Sequence, residues 1–247
     1  MSGRTTMIAL PTFLTAEWRH LVMLNYSADP ALLQPLVPRG TELDFFGGRT
    51  FVSMVGFRFL RTRIFGVPFP GHSDFDEVNL RFYVRRQSDE GWRRGVVFVR
   101  ELVPRRAIAL IARSVYGEPY SALPMRHRIE STDGEVRAEY LWLRSGQWER
   151  LYAQGVGTRQ AMQGGSEEEF IMEHYWGYTA LGARSNEYQV EHPRWRFWPA
   201  VEAGFEADVR TLYGERFVEC LSARASSAFI AEGSQVTVKY KSRLAAA

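Results

Sequence analysis

Asp74-Phe-Asp-Glu-Val-Asn-Leu-Arg-Phe-Tyr-Val-Arg-Arg86 alternates from Glu77 onward. Glu77, Asn79, Arg81 and Tyr83 fall on one side, and Val78, Leu80, Phe82 and Val84 on the other. Successive side chains of a strand point to opposite faces, so this period of two predicts a β-strand with one apolar and one polar face. What the polar face meets decides how the whole chain is read. Turned to water, Glu77, Asn79 and Arg81 are ordinary surface. Turned inside a cup-shaped sheet, they are a polar patch in a pocket.

Similar patterns surround that strand. Residues 17–25 read as a strand with Trp18, His20, Val22 and Leu24 against Arg19, Leu21, Met23 and Asn25. Both faces are mostly apolar, as in a strand covered on both sides. Asp29-Pro30 opens a short helix, with Asp29 as N-cap and Pro30 at the first helical position. Gly47-Gly48 predicts a hairpin between residues 41–46 and 49–60, and the Gly- and Pro-rich residues 64–72 a loop able to form a rim or lid. Ala107, Ile108, Ile111, Ala112 and Val115 recur at helical spacing, and Gly117 and Pro119 stop that helix. Asp133-Gly134 predicts a type I′ hairpin, Ser166-Glu-Glu-Glu169 a capping box opening a helix toward His174, and Gly233 the turn of a last hairpin. Many short strands with a few short helices predict a mainly β (α+β) chain. The expected architecture is a curved antiparallel sheet or closed β-barrel. No linker or composition shift divides the chain, so a single domain over 1–247 is expected.

Composition narrows the function classes. With 45% hydrophobic and 14% aromatic residues in 247, the chain can bury a sizeable core. Lys239 and Lys241 are the only lysines among 31 basic residues. Arginine suits bidentate contact with carboxylate or phosphate and cannot serve as a Schiff-base amine. The arginines are interleaved with acids at a net charge of only +3, which points to a solvated mixed-charge surface rather than a nucleic-acid partner. The single Cys220 rules out an intramolecular disulfide and fits a reducing, cytoplasmic compartment. The apolar run in Met1-Ser-Gly-Arg-Thr-Thr-Met-Ile-Ala-Leu10 is too short for a signal peptide or a membrane span, so no membrane partner is expected. His20, His72, His127, His174 and His192 lack metal-site spacing, and no GxSxG, GxGxxG or phosphate-loop pattern occurs. No metal or cofactor is therefore expected.

Several residues remain as candidates. Arg19 lies on a largely apolar strand, where a buried charge needs a partner, either a salt bridge at a sheet edge or a ligand. Arg105 and Arg106 open a helix at the end where the dipole disfavours cations, so they are surface residues or meet some other demand. Glu77 and Arg81 share a face, as an exposed pair or as pocket groups. Glu173-His-Tyr-Trp-Gly-Tyr178 is dense in polar aromatics, which offer an apolar body and a hydrogen-bonding tip. That suits either a pocket wall or a core with satisfied hydroxyls.

Phe13-Leu-Thr-Ala-Glu-Trp18, Asn25-Tyr26, Asp29-Pro30, Glu173-His-Tyr-Trp-Gly-Tyr178, Glu191-His-Pro-Arg-Trp195 and Ala231-Glu-Gly-Ser-Gln-Val236 resemble the uncharacterised YqjF-like family over nearly the whole chain. That family is similar in turn to the acetoacetate decarboxylases, which implies a cone-like β-barrel with a central cavity. The resemblance places the decarboxylases' active-site arginine at Arg19, with His20 where glutamate is usual, and their pocket glutamate at Glu77. It matches their Arg-Glu and Pro-Lys-Lys to Arg100-Glu101 and Pro104-Arg105-Arg106, which sets Arg105 where they keep the Schiff-base lysine. Their reaction needs a neutral amine, and a guanidinium stays protonated. The resemblance thus implies a shared fold without Schiff-base decarboxylation.

The expectation is a soluble protein whose pocket takes a small-molecule ligand, most simply a carboxylate. Its polar groups would be Arg19, Glu77, Asn79, Arg81 and Arg105, with Tyr175 and Tyr178 in the wall. Two alternatives stay open: a decarboxylase or related lyase using a relocated lysine, and a protein-interaction scaffold with a filled barrel. The oligomeric state is not legible.

Overall fold

The computed structural model describes residues 10–244. The reading of the first ten residues therefore falls almost wholly outside the described part. In chain order come β1 (Thr12–Ala28), α1 (Pro30–Leu33), β2 (Glu42–Leu43), β3 (Thr50–Ile64), β4 (Val67–Pro68), β5 (Phe75–Ser88) and β6 (Gly91–Val103). Then follow α2 (Arg106–Val115), β7 (Tyr120–Ala122), β8 (Met125–Ser131), β9 (Glu135–Arg144), β10 (Gln147–Val156) and β11 (Gln160–Ala161). The last part holds α3 (Glu167–Met172), β12 (Trp176–Leu181), β13 (Arg184–Glu191), β14 (Arg196–Glu206), α4 (Val209–Tyr213), α5 (Val218–Ser222), β15 (Ser227–Lys239) and β16 (Ser242–Arg243).

The sheet runs β13-β12-β6-β5-β3-β1-β15, and β15 pairs back onto β13 through Val190–Val238 and Glu191–Thr237. Those strands form a ring. Beyond β15, the strands β14-β10-β9-β8 extend the sheet as a second layer. The even-numbered face of β5, with Val78, Leu80 and Phe82, packs outward in one core with Tyr140, Trp142 and Leu151 of that layer. The residues turned into the ring form a second core, where Val55, Phe57, Phe59 and Phe75 meet Ile108 of α2 and Phe170 of α3. Full burial of each such side chain stabilises by ~1.5–3 kcal/mol.

Local chemistry explains the boundaries. Asp29 accepts from the Ala31 amide at 2.8 Å and caps α1. Ser166 accepts from the Glu169 amide at 3.2 Å, while the Glu169 carboxylate reaches back to the Gly165 amide at 2.7 Å. That helix stops at Met172, short of His174.

Several expectations need correction. Residues 226–241 do not form a hairpin: β15 runs straight through Gly233. There Gly233 has φ 74° and pairs with Arg19, and a Cβ would sit 1.9 Å from the Trp18 carbonyl oxygen. The glycine serves close approach of β1, not a chain reversal. Gly47 and Gly48 do turn the chain at positive φ, closing a Phe46–Arg49 bridge. The segment before them, however, leaves that hairpin to pair Glu42–Leu43 with Arg85 and Val84 of β5, where Arg85 meets the Glu42 carboxylate at 2.7 Å. Asp133-Gly134 joins β8 to β9 without positive φ at either residue, so its turn is not type I′. Within the residues expected as a loop, Val67–Pro68 folds back on Arg63 and Ile64. The sheet is not wholly antiparallel either, because β6 pairs parallel to both β12 and β7.

β-Bulges bend the ring strands. Between β1 and β3, the register slips near Arg61 (φ 53°) and again near His20 (φ 54°). Between β5 and β6, Leu80 faces Arg100 but Arg81 faces Phe98, which leaves Val99 as the extra residue. A bulge adds twist and moves every later side chain to the opposite face. Among the described residues no helix is long and apolar enough to cross a membrane.

Candidate functional site

Inside the ring lies a cavity of about 130 Å³. A cavity of roughly 150 Å³ holds a benzene molecule, which sets the scale of an occupant. Phe57, Phe59, Phe75, Leu21, Val96 and Ile108 give it apolar walls. β5 supplies one polar wall, because its odd-numbered face turns inward and steps through Glu77, Asn79 and Arg81. Tyr83, the next in that series, is buried against Ser53, its hydroxyl 2.6 Å away.

Glu101 on β6 stands beside Asn79, and Glu118 and Tyr120 after α2 and Tyr188 on β13 also line the cavity. The parallel pairing of β7 with β6 sets Tyr120 beside Glu101. Arg113 of α2 donates its Nε to the Tyr120 carbonyl at 2.7 Å and so ties the helix to that short strand. Gly177 of β12 admits the Tyr188 ring, since a Cβ there would lie 2.1 Å from it.

The hydrogen bonds organise the carboxyls. Asn79 Nδ2 donates to Glu77 Oε1 at 3.0 Å, and the Tyr120 hydroxyl donates to Glu77 Oε2 at 3.0 Å. The Tyr188 hydroxyl donates to Glu118. Glu101 Oε2 and Asn79 Oδ1 are buried without a partner. Glu77, Glu101 and Glu118 are 2%, 1% and 5% exposed. Burial pushes the Glu77 carboxyl up to about 7, against the lowering effects of Asn79, Tyr120 and Arg81. Burial, with the neighbouring Glu77 charge, pushes Glu118 up to about 8 although Tyr188 opposes it. Glu101 is raised well above the usual carboxylate range by burial and then by the charges of Glu118 and Glu77. Three carboxyls in one apolar enclosure resist ionising together, so the group retains protons near neutral pH and can exchange them with an occupant.

Among the described residues Arg81 is the one arginine or lysine of the wall; its Nη2 donates to the Ile171 carbonyl at 3.3 Å. His174 also lines the cavity, with Nε2 at 3.1 Å from Asp44 Oδ2, which Arg94 Nε meets at 2.7 Å. Burial lowers the His174 pKa to about 4 despite Asp44, so the ring is neutral at pH 7.

The expected site residues divide. Glu77, Asn79 and Arg81 come together on the cavity wall, and Arg19, Arg105, Tyr175 and Tyr178 are not among the residues lining it. Arg19 has a side chain 37% exposed, pairs with Glu17 at 3.1 Å and donates to the Gly233 carbonyl at 3.1 Å; the bulge at His20 re-aims this part of β1. Arg105 is an exposed residue at the N-cap position of α2, whose Ile108 and Ile111 face the cavity instead. Tyr175 donates to Glu173 at 2.6 Å outside the wall. Tyr178 is buried in the outer core against Gly95. Neither lysine lines the cavity, and Lys239 pairs with Glu191 at 3.2 Å. Sequence reasoning did not select Glu101, Glu118, Tyr120, Tyr188 or His174. Glu101 carried a signal, as an acid next to the apolar run at residues 96–99, but Val99 reverses the parity that would have placed it.

Comparison with known proteins follows the same outline. A family model described as an uncharacterized conserved protein, DUF2071, matches residues 15–235. YqjF of Bacillus subtilis is 30% identical over 110 residues, a match spanning 44% of this chain and 44% of that protein. Acetoacetate decarboxylase from Legionella pneumophila superposes with a TM-score of 0.63 at 14% identity, covering 99% of this chain and 92% of that one. An acetoacetate decarboxylase-like enzyme from Sphingomonas wittichii gives 0.64 at 14% identity with 100% of both chains covered. The enduracididine biosynthesis enzyme MppR, solved in complex with pyruvate, gives 0.67 at 13% identity over 99% and 94%. At such identities the likeness is one of fold. The chain belongs to the uncharacterised DUF2071 family and has the mainly β, ringed fold of the acetoacetate decarboxylase-like enzymes.

Proposed function

We propose that the cavity binds a small organic acid and that Schiff-base decarboxylation is not its chemistry. The observation that carries this reading is the inward face of β5, which sets Arg81 and Glu77 on one wall of an apolar enclosure. Arg81 is the group suited to a carboxylate, which a guanidinium binds through paired N–H donors. Glu77, titrating at about 7, is suited to pass a proton to or from the occupant. MppR, of the same fold, has been solved with pyruvate, a small acid of fitting size. No lysine lines the cavity to form an imine, and Lys239 is engaged with Glu191. Of the ways to oppose the reading, a relocated lysine has no observation in its favour.

Thermal-shift titration with pyruvate, propionate and butyrate tests the proposal. A ligand at a hundred times its Kd adds ~2.7 kcal/mol to the folded state. At least one of the acids should raise the melting temperature of wild type, and Arg81→Met should abolish the rise. Flat melting curves with all three acids would reject the site; equal shifts in wild type and Arg81→Met would reject Arg81 as the anchor. Borohydride treatment with a β-keto acid should leave Lys239 and Lys241 unmodified.

A further inference from the structure

Arginine neutralises the buried acids of this chain with one exception in place. Glu17 pairs with Arg19, Asp44 with Arg94, Asp76 with Arg58, Glu139 with Arg150, Glu149 with Arg144 and Glu187 with Arg93. Glu77, Glu101 and Glu118 are as deeply buried, yet among the described residues none of them has an arginine, lysine or histidine within salt-bridge distance. All three line the same cavity. Two acceptors of that wall, Glu101 Oε2 and Asn79 Oδ1, are buried with no hydrogen-bond donor. A buried acceptor without a donor is unfavourable, and here two of them stand in a wall whose three buried acids have no arginine partner.

We infer that the cavity takes a small acid which also carries a protonated amine, the ammonium group supplying the donors that Glu101 and Asn79 lack and a cation beside Glu77. The inference rests on the proposed organic-acid site and adds the second half of the ligand. Arg81 stands two alternate positions from Glu77 along β5, roughly 13 Å in Cα spacing, and its guanidinium lies over the Tyr83 ring at 5.6 Å, away from Glu77. The amine therefore sits at the far end of the ligand from its carboxylate, as in an ω-amino acid. An ammonium has three donors and no acceptor, which matches a wall of carboxyl and amide oxygens. A keto or plain acid would leave those oxygens as they are.

Calorimetric titration of the whole protein at about pH 8 with γ-aminobutyrate, butyrate and butylamine separates the cases. γ-Aminobutyrate should bind about ten-fold or more tighter than butyrate, the size expected for one desolvated charge pair. Glu101→Gln and Glu77→Gln should each shrink that preference. The wild-type comparison alone decides the matter, so a variant that fails to fold does not obscure it. Butyrate binding as tightly as γ-aminobutyrate overturns the inference and leaves the organic-acid reading in place. Butylamine binding as tightly as γ-aminobutyrate, with butyrate not bound, upholds the amine and overturns Arg81 as a carboxylate anchor. Binding of none of the three overturns both.

Discussion

Glu77 shows how a residue's chemistry follows from which way it points. On an exposed strand its carboxyl would titrate near its ordinary value of 4.5; buried in the cavity it rises to about 7. Glu118 rises to about 8 for the same reason. The sign of the consequence is definite. Between about 4.5 and those values the folded protein binds more protons than the unfolded chain, so these groups stabilise fully below about pH 4.5. Their contribution is lost as pH rises through 7 to 8. His174 acts oppositely: lowered to about 4, it costs stability as pH falls below 6.5. Melting temperatures of wild type should therefore fall between about pH 6.5 and 8, and Glu77→Gln should flatten the part of that fall near pH 7. A melting temperature that rises across this range, or a slope unchanged in Glu77→Gln, would contradict the burial of these carboxyls. At this scale the sequence was legible where alternation was unbroken. Glu77, Asn79 and Arg81 follow one another on β5 without a bulge. Glu101 follows Val99, where parity reverses, and Glu118 lies in a loop with no period to read.

Strands and helices were legible in kind, but their breaks were not. The helix of α2 and the capping box of α3 are local signals and appear where the spacing sets them. Bulges are decisions of the pairing partner, and nothing local to Arg61 or Val99 announces them. Gly233 misled for the same reason, since a glycine demanded by a turn and one demanded by close approach look alike in sequence. The structural role gives a clear expectation. Gly233→Ala forces φ 74° on alanine and drives its Cβ against the Trp18 carbonyl, so it should cost more than about 3 kcal/mol in urea unfolding. Gly164→Ala, with open space around it and no positive φ, should change stability by no more than about 1 kcal/mol. Equal effects at the two glycines would mean that β1 and β15 do not approach as described. Gly177→Ala should displace the Tyr188 ring and so release Glu118, which is read as a lower Glu118 occupancy of its bond to Tyr188 in the tyrosine side-chain spectrum.

The molecule as a whole separates two uses of buried charge. Outside the cavity, acids are held by arginines and hold layers together: Glu149 meets Arg144 at 2.5 Å, the Trp142 indole at 2.6 Å and the Asp208 amide at 3.0 Å. Glu149→Gln should cost about 1–3 kcal/mol, because it leaves the Arg144 guanidinium with Asp208 alone as its carboxylate partner. Glu101→Gln removes an unpartnered carboxyl and should be neutral or stabilising in the same denaturation assay. The ring itself was legible only as a class, since the closure of β15 onto β13 joins residues far apart in the chain. On the proposed reading, the inward face of β5 borders an enclosure that admits a small acid. A crystal structure of the protein grown with pyruvate would show it. Density is expected for one small molecule inside the ring, its carboxylate on Arg81 and its other end toward Glu77. A ring packed solid by its own aromatic side chains, or Glu77 turned out to bulk water, would contradict it.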